Sequence, residues 1–282
     1  MTLSDRAPLP LDAVSFREIA DLAYRESGLT LVEEKAMMIQ SRLRHRLRAL
    51  GLTDFGQYSA YVSSDAGRDE RKQLISALTT NVSHFFRESH HFDSLKEMLD
   101  ARLPNLRAGG RMRIWSAGCS NGQEALSAAV ALLDHCPEVS RLNLRILATD
   151  IDPKVVEFAR QGRYDTRLTD GIPKALINQY FDADTEGADT VFSPKSLVRN
   201  MISFNELNLL ADWPMKGRFD VIFCRNVVIY FDLATQNALW PRFHSLLAPD
   251  GVLFLGHSER IADPSAYGFV CTGPTTYRHT AH

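Results

Sequence analysis

The stretch Arg113-Ile-Trp-Ser-Ala-Gly118-Cys-Ser-Asn-Gly122-Gln-Glu124 decides the fold class, because an apolar run passes straight into a glycine-punctuated turn and then into a helical pattern. Small residues at such a turn let backbone approach a ligand closely. The helix that follows opens with unsatisfied N–H groups and a positive dipole end. Two further segments share the design. Ile146-Leu-Ala-Thr-Asp150-Ile-Asp152 reads as a strand ending in acids, and Phe219-Asp-Val-Ile-Phe-Cys-Arg-Asn226 as a strand ending in polar groups. In doubly wound α/β sheets, strand ends of this kind line the ligand crevice.

Working outward, the chain changes rhythm. Up to about residue 95 it reads as four or five helices. Phe16, Ile19, Ala20 and Ala23 fall at i, i+3, i+4 and i+7, and Ile39, Leu43, Leu47 and Leu50 form a second stripe that stops at Gly51. Thr53 is the expected cap of a third helix carrying Phe55, Tyr58 and Val62. Leu103-Pro-Asn-Leu-Arg-Ala-Gly109-Gly110 holds the breakers of a domain junction. The layout expected is a helical domain over 1–95, a linker over 96–110, and an α/β domain over 111–282. Within the α/β domain the alternation stalls between Tyr164 and Phe204, which predicts an inserted β lobe over about 164–204. Regular rhythm returns at Phe219, with a helix from about Leu233, a strand over Gly251-Val-Leu-Phe-Leu-Gly256 and a last short strand at Thr275-Thr-Tyr-Arg278.

Composition narrows the classes. With 282 residues, 45% hydrophobic and 23% charged, the chain is an ordinary globular one, and a formal net charge of −2 gives no global reason to expect nucleic acid. No apolar run is long enough to span a membrane, and residues 1–12 lack the pattern of a secretory leader, so a cytoplasmic location is expected. Cys119, Cys136, Cys224 and Cys271 show no C-x-x-C spacing. Reduced, mostly buried thiols are expected, with no metal site.

The glycine turn departs from G-x-G-x-x-G at its middle glycine, where Ser120 stands, and this disfavours a dinucleotide. An adenosine cofactor without a diphosphate needs small residues for packing, an acid for the ribose hydroxyls and polar contacts for an amino-acid tail. S-adenosylmethionine has that shape, with Asp150 as ribose partner; the competing reading is that Asp150 only caps its own turn. Arg87 offers a fork suited to a carboxylate, against simple pairing with Glu88. Tyr230 follows a strand's carboxyl end, where ligands bind. Arg225 reads equally as a site residue or as a buried structural ion pair, and it is left outside the site.

The blocks Thr79-Thr-Asn-Val-Ser-His-Phe-Phe-Arg-Glu88, Trp115-Ser-Ala-Gly-Cys-Ser-Asn-Gly-Gln-Glu124, Ala148-Thr-Asp-Ile-Asp152, Phe219-Asp-Val-Ile-Phe-Cys-Arg-Asn-Val-Val-Ile-Tyr-Phe-Asp232 and Gly256-His-Ser-Glu259 resemble, in order, those of the chemotaxis receptor methyltransferase (CheR) family. The resemblance runs from about Phe16 to Arg278 and includes Lys35 and Ser41-Arg-Leu-Arg-His-Arg-Leu-Arg48. It implies a Rossmann-like α/β S-adenosylmethionine-dependent methyltransferase domain beside an all-α N-terminal domain, with a small inserted β lobe. The implied activity is O-methylation of glutamate side chains on methyl-accepting chemotaxis receptors, leaving S-adenosylhomocysteine. By position, Asn81, Ser83, Arg87 and Glu124 would contact the cofactor's methionine part, with Gly118 in the turn. Asp150 would hold the ribose, Asn208 and Leu209 the adenine end, and Asn226 and Tyr230, with Arg87, the reaction centre. Two positions depart from the family pattern: Gln123 stands where a first glutamate is common, and Ser83 where threonine is.

Methyl transfer to a carboxylate asks for no dedicated base, since the glutamate oxygen is already anionic near neutral pH. His84 and His257 are therefore read as structural. Non-catalytic cofactor binding, a small-molecule methyltransferase and an NAD-dependent oxidoreductase are the competing classes. Arg87, Asn226 and Tyr230 argue against the first, the helical domain and lobe against the second, and the missing glycine fingerprint against the third.

For the partner, Lys35, Arg42, Arg44, Arg46 and Arg48 make a basic helix in a slightly acidic chain. It would steer an acidic receptor bundle without nucleic acid or membrane insertion. In some members of the resembled family a receptor's C-terminal tethering peptide is a second point of contact.

Overall fold

The computed structural model describes residues 10–186 and 189–280. Most of the segment read for a leader, residues 1–9, lies outside the described residues. The chain divides into two compact units: Met1–Thr80 with Tyr230–Thr235, and Asn81–Ile229 with Gln236–His282.

The first unit is built from α1 (Ala13–Ser27), α2 (Ala36–Leu50), α3 (Phe55–Ser63) and α4 (Arg68–Leu78). Asp12 caps α1 by accepting the N–H groups of Val14 and Ser15, and Gly28 closes it in the left-handed conformation. Phe16, Ile19 and Ala23 face inward with Ile39, Leu43 and Leu47, as the periodicity predicts. The third helix is capped by Asp54, which accepts the Gln57 N–H, and not by Thr53: the carboxylate one residue later is in register with the first turn.

The expected basic face is corrected at two positions. Arg46 grips the carboxylate of Glu70, which is only 5% exposed, through Nε at 2.8 Å and Nη2 at 2.5 Å, and the Tyr58 hydroxyl donates to the same group at 3.0 Å. Arg42 caps the end of α4, donating Nη1 to the carbonyls of Leu78 and Thr79 at 2.8 and 2.9 Å. A helix end leaves carbonyls without partners, and an arginine fork from a neighbouring helix satisfies two of them. Lys35 and Arg48 are exposed and Arg44 is half-buried.

The second unit begins earlier than expected. Residues 96–110 are no linker: 96–107 continue α5 (His90–Arg107), which runs through Pro104 and whose Phe92, Leu95, Leu99 and Leu106 are buried in the same core as the sheet, and 108–110 turn the chain toward the first strand. That apolar stripe holds the last turn helical although Pro104 can donate no backbone bond. Then follow β1 (Met112–Ala117), α6 (Gln123–His135), β2 (Leu144–Asp150), α7 (Pro153–Gln161), β3 (Tyr164–Asp165), α8 (Lys174–Tyr180), β4 (Phe181–Glu186), β5 (Asp189–Pro194), α9 (Ser196–Arg199), β6 (Ile202–Glu206), β7 (Phe219–Cys224), α10 (Leu233–Leu246), β8 (Leu247–Leu255), β9 (Phe269–Gly273) and β10 (Thr276–His279).

The main sheet has the order β6-β2-β1-β7-β8-β10-β9. Strands β6, β2, β1, β7 and β8 are parallel, and β10 runs antiparallel to both β8 and β9. From β1 the connection goes to β2 on one side, while β7 leads to β8 on the other. The reversal puts the crevice at the carboxyl ends of β1, β2 and β7, where the three sequence segments were read. The inserted lobe is the three-stranded sheet β3-β5-β4, and it ends at Pro194. Strand β6, expected inside the lobe, instead pairs with β2 at the edge of the main sheet, Ile202 opposite Ile146. A strand this short and half-exposed carries no signal of its own partner. The residues around β9 gave no strand signal at all.

Candidate active site

Gly118 leaves β1 at φ +82°, and a Cβ there would lie 2.3 Å from Cγ2 of Val227, so only glycine fits the turn. Its N–H and that of Cys119 both donate to the Thr149 carbonyl, at 2.8 and 2.9 Å, which ties the first turn to the end of β2. Ser120 sits at φ 49° where a dinucleotide turn would carry glycine. Its N–H donates to Oδ2 of Asp150 at 2.8 Å and its hydroxyl to the Asn81 carbonyl at 3.0 Å. Asp150 is 8% exposed, and its Oδ1 accepts the Asp152 N–H at 3.0 Å. The carboxylate thus caps its own turn while keeping lone pairs for a further donor, and burial holds its pKa above the ordinary carboxylate value. Asp152 carries the next step outward, accepting from the Asn81 amide at 2.7 Å and capping α7.

At the other lip, Arg225 is buried between two acids, with Nε 3.6 Å from Glu88 and Nη1 3.6 Å from Glu124. Its Nη2 donates to the Arg87 carbonyl, and its guanidinium carbon lies 5.6 and 6.0 Å from the ring centroids of Phe92 and Phe223. Arg225 is thus a buried ion-pair partner, one of the two readings the sequence leaves open. Glu124 also accepts the Ser116 hydroxyl at 2.7 Å, and burial raises its pKa against the opposing pull of Arg225. Arg87 itself is held loosely, with Nη1 3.4 Å from the Val82 carbonyl and Nε 4.0 Å from Glu88, and its side chain is 27% exposed. Its fork is available to an anion. Ser83 and Asn226 are half-buried, and Asn208 folds its Oδ1 back onto the Leu210 N–H at 2.9 Å beside buried Leu209. Gln123, the departure from the family pattern, donates to the Leu168 carbonyl at 3.1 Å, a bond that a glutamate could not make.

Tyr230 falls in the helical unit, where its carbonyl accepts the Thr30 N–H at 2.9 Å and its hydroxyl stands 3.5 Å from the Thr80 carbonyl. His84 is exposed, and His257 stands 3.2 Å from Glu88 through Nδ1. Neither is poised as a base over a nucleophile. The thiols follow expectation in part: Cys119 and Cys224 are buried, Cys136 is half-buried and Cys271 is exposed.

Sequence reasoning missed Glu88 as a hub, Glu259, and His91. His91 is fully buried against Phe254, with Nε2 3.1 Å from the Thr275 hydroxyl. Burial depresses its pKa from 6.5 to about 3, with Arg225 adding to the effect. Between those values the unfolded chain binds a proton that the folded chain refuses. The contribution of this group to stability is therefore fully present above about pH 6.5 and is lost as pH falls toward about 3, by up to about 1.4 kcal/mol per unit. The urea midpoint is expected to drop between pH 7 and pH 5.5, and His91→Gln is expected to flatten that drop; an unaltered slope in the variant would assign the acid sensitivity elsewhere.

Residues 15–79 match the family model described as CheR methyltransferase, all-alpha domain, and residues 81–275 the model described as CheR methyltransferase, SAM binding domain. The boundary between the two matches falls where the two compact units divide. A probable chemotaxis protein methyltransferase of Rhizobium etli is 45% identical over 260 residues, covering 92% of this chain and 97% of that protein. A chemotaxis protein methyltransferase of Escherichia coli is 39% identical over 270 residues, covering 95% and 92%. One from Borreliella burgdorferi is 36% identical over 266 residues, covering 91% of each.

Proposed function

This chain belongs to the CheR methyltransferase family, and from that premise we propose that it methylates glutamate side chains of chemotaxis receptors, forming carboxyl esters. It is an S-adenosylmethionine-dependent methyltransferase. The observation that carries the finer reading is the match along nearly the whole chain to chemotaxis protein methyltransferases, joined to a site with acids and an available arginine but no base.

The residues present suit the cofactor. Gly118 and Ser120 keep the turn shallow, and Asp150 is a buried acceptor at the strand end where ribose hydroxyls would donate. Asn208 and Leu209 take the adenine end. Asn81, Ser83, Arg87 and Glu124 take the methionine part, Arg87 matching its carboxylate and Glu124 its ammonium. When bound, S-adenosylmethionine supplies a methyl group activated on a sulfonium. Asn226 aligns the incoming glutamate oxygen and excludes water from it, and the family resemblance assigns Tyr230 to the same reaction. Orientation of this kind is worth up to ~7–11 kcal/mol of barrier, enough that no proton need move before the methyl does.

The test is transfer of tritiated methyl from the cofactor to receptor-containing membranes, with release of methanol by mild base. Label that resists base would place the methyl on nitrogen or sulfur and overturn the reading. In the same assay, Arg87→Ala and Tyr230→Phe are each expected to cut turnover at least tenfold while the proteins stay folded by circular dichroism. Arg87→Ala should weaken cofactor binding more than Tyr230→Phe does. Normal turnover in both would remove them from the reaction centre.

A further inference from the structure

The loop that leaves β7 carries Asn226 at φ 59°, in the left-handed region that asparagine enters more readily than most non-glycine residues. What holds the backbone there is a carboxylate 33 residues away. Glu259 is 3% exposed, and its two oxygens accept four backbone N–H groups. Oε2 takes Gly256 at 2.6 Å and Asn226 at 2.8 Å; Oε1 takes Val227 at 2.8 Å and Ile229 at 3.3 Å. Gly256 completes the arrangement, because a Cβ there would stand 2.5 Å from Nδ2 of Asn226 and 2.7 Å from its N. Glycine at 256 makes room for Asn226, and glutamate at 259 holds it.

We infer that Glu259 is a positioning residue for methyl transfer: it fixes the backbone from Asn226 to Ile229 so that the Asn226 side chain is presented at the carboxyl end of β7. The inference rests on the proposed place of Asn226 in the reaction centre. Glu259 touches neither cofactor nor substrate in this scheme. It ties the ends of β7 and β8, neighbours in the sheet, into one rigid lip. Four charge-assisted bonds to one carboxylate fix more geometry than four bonds to water. The residue also fixes what an exchange would do. A glutamine keeps the shape of the side chain but turns an amide donor toward two of the four N–H groups, whichever way it is flipped.

The experiment compares wild type, Glu259→Gln, Glu259→Asp, Asn226→Ala and, as a control for lost stability alone, Leu99→Ala in the core of the same unit. Each full-length protein is assayed well below its melting temperature. Glu259→Gln is expected to lower kcat at least tenfold with KM for receptor membranes within twofold of wild type, and to speed amide hydrogen exchange at Asn226, Val227 and Gly256. Glu259→Asp, which restores the carboxylate on a shorter stem, is expected to recover part of both. Leu99→Ala should lose melting temperature but keep kcat. A Glu259→Gln protein with normal kcat beside an impaired Asn226→Ala overturns this inference alone, as does a kcat loss that Leu99→Ala reproduces. Normal kcat in Asn226→Ala overturns the site assignment and the inference with it.

Discussion

Replacing Arg46 with glutamate is expected to unfold the helical unit, not merely to weaken an encounter with a receptor. The buried Glu70 carboxylate would lose both arginine donors and face a second negative charge, with only the Tyr58 hydroxyl left to it. Stripping one partner from such a buried pair costs about 3–5 kcal/mol, a large part of the ~5–15 kcal/mol by which a domain is stable. Urea unfolding followed by circular dichroism should show the loss of the helical unit's transition, or its shift to much lower denaturant. Lys35→Glu and Arg48→Glu, at exposed positions, should leave the unfolding free energy within about 0.5 kcal/mol of wild type and are the substitutions with which to ask about an acidic partner. A wild-type midpoint for Arg46→Glu would show that the clasp carries no weight.

Asp150→Ala is expected to reduce affinity for S-adenosylmethionine and S-adenosylhomocysteine by at least about tenfold in calorimetry, as a hydrogen bond to a charged group is worth roughly 1.5–3 kcal/mol. The same change releases the N–H groups of Ser120 and Asp152 and so loosens the turn itself. Asp150→Asn separates the two contributions, since its remaining carbonyl oxygen can still hold one N–H while one ribose acceptor is gone. Unchanged affinity in Asp150→Ala would take the residue out of the site.

What was legible in the sequence is what physics encodes locally. The glycine turn after β1, the acid that ends β2 and the polar residues that end β7 each announce themselves within a dozen residues, and the fold brings their strands side by side. Pairings across long separations left no such mark. Glu259 meets Asn226 only because β7 and β8 are neighbours, and Arg46 meets Glu70 only because α2 and α4 pack together. The basic residues of α2 read together as one face for an acidic partner because charge reports nothing about which way a half-buried arginine turns its fork. Pro104 reads as a boundary because a breaker is legible by itself, while the stripe from Phe92 to Leu106 that overrides it is a tertiary fact.

The lobe between β2 and β6 is anchored at its root. Tyr164 is fully buried, its hydroxyl bonded to the Asn121 carbonyl at 2.5 Å, and the Phe85 ring packs edge-on against both Tyr164 and Phe181. Beyond that root, Asp184 and Thr185 of β4 and Asp189 of β5 are exposed. Chain inserted between two fixed points costs little, about 0.6 kcal/mol for each doubling of its length. The hairpin is therefore the part of this enzyme that descent can rewrite most cheaply: a new tip could be grafted between the same two anchors, and the sheet beneath would fold as before.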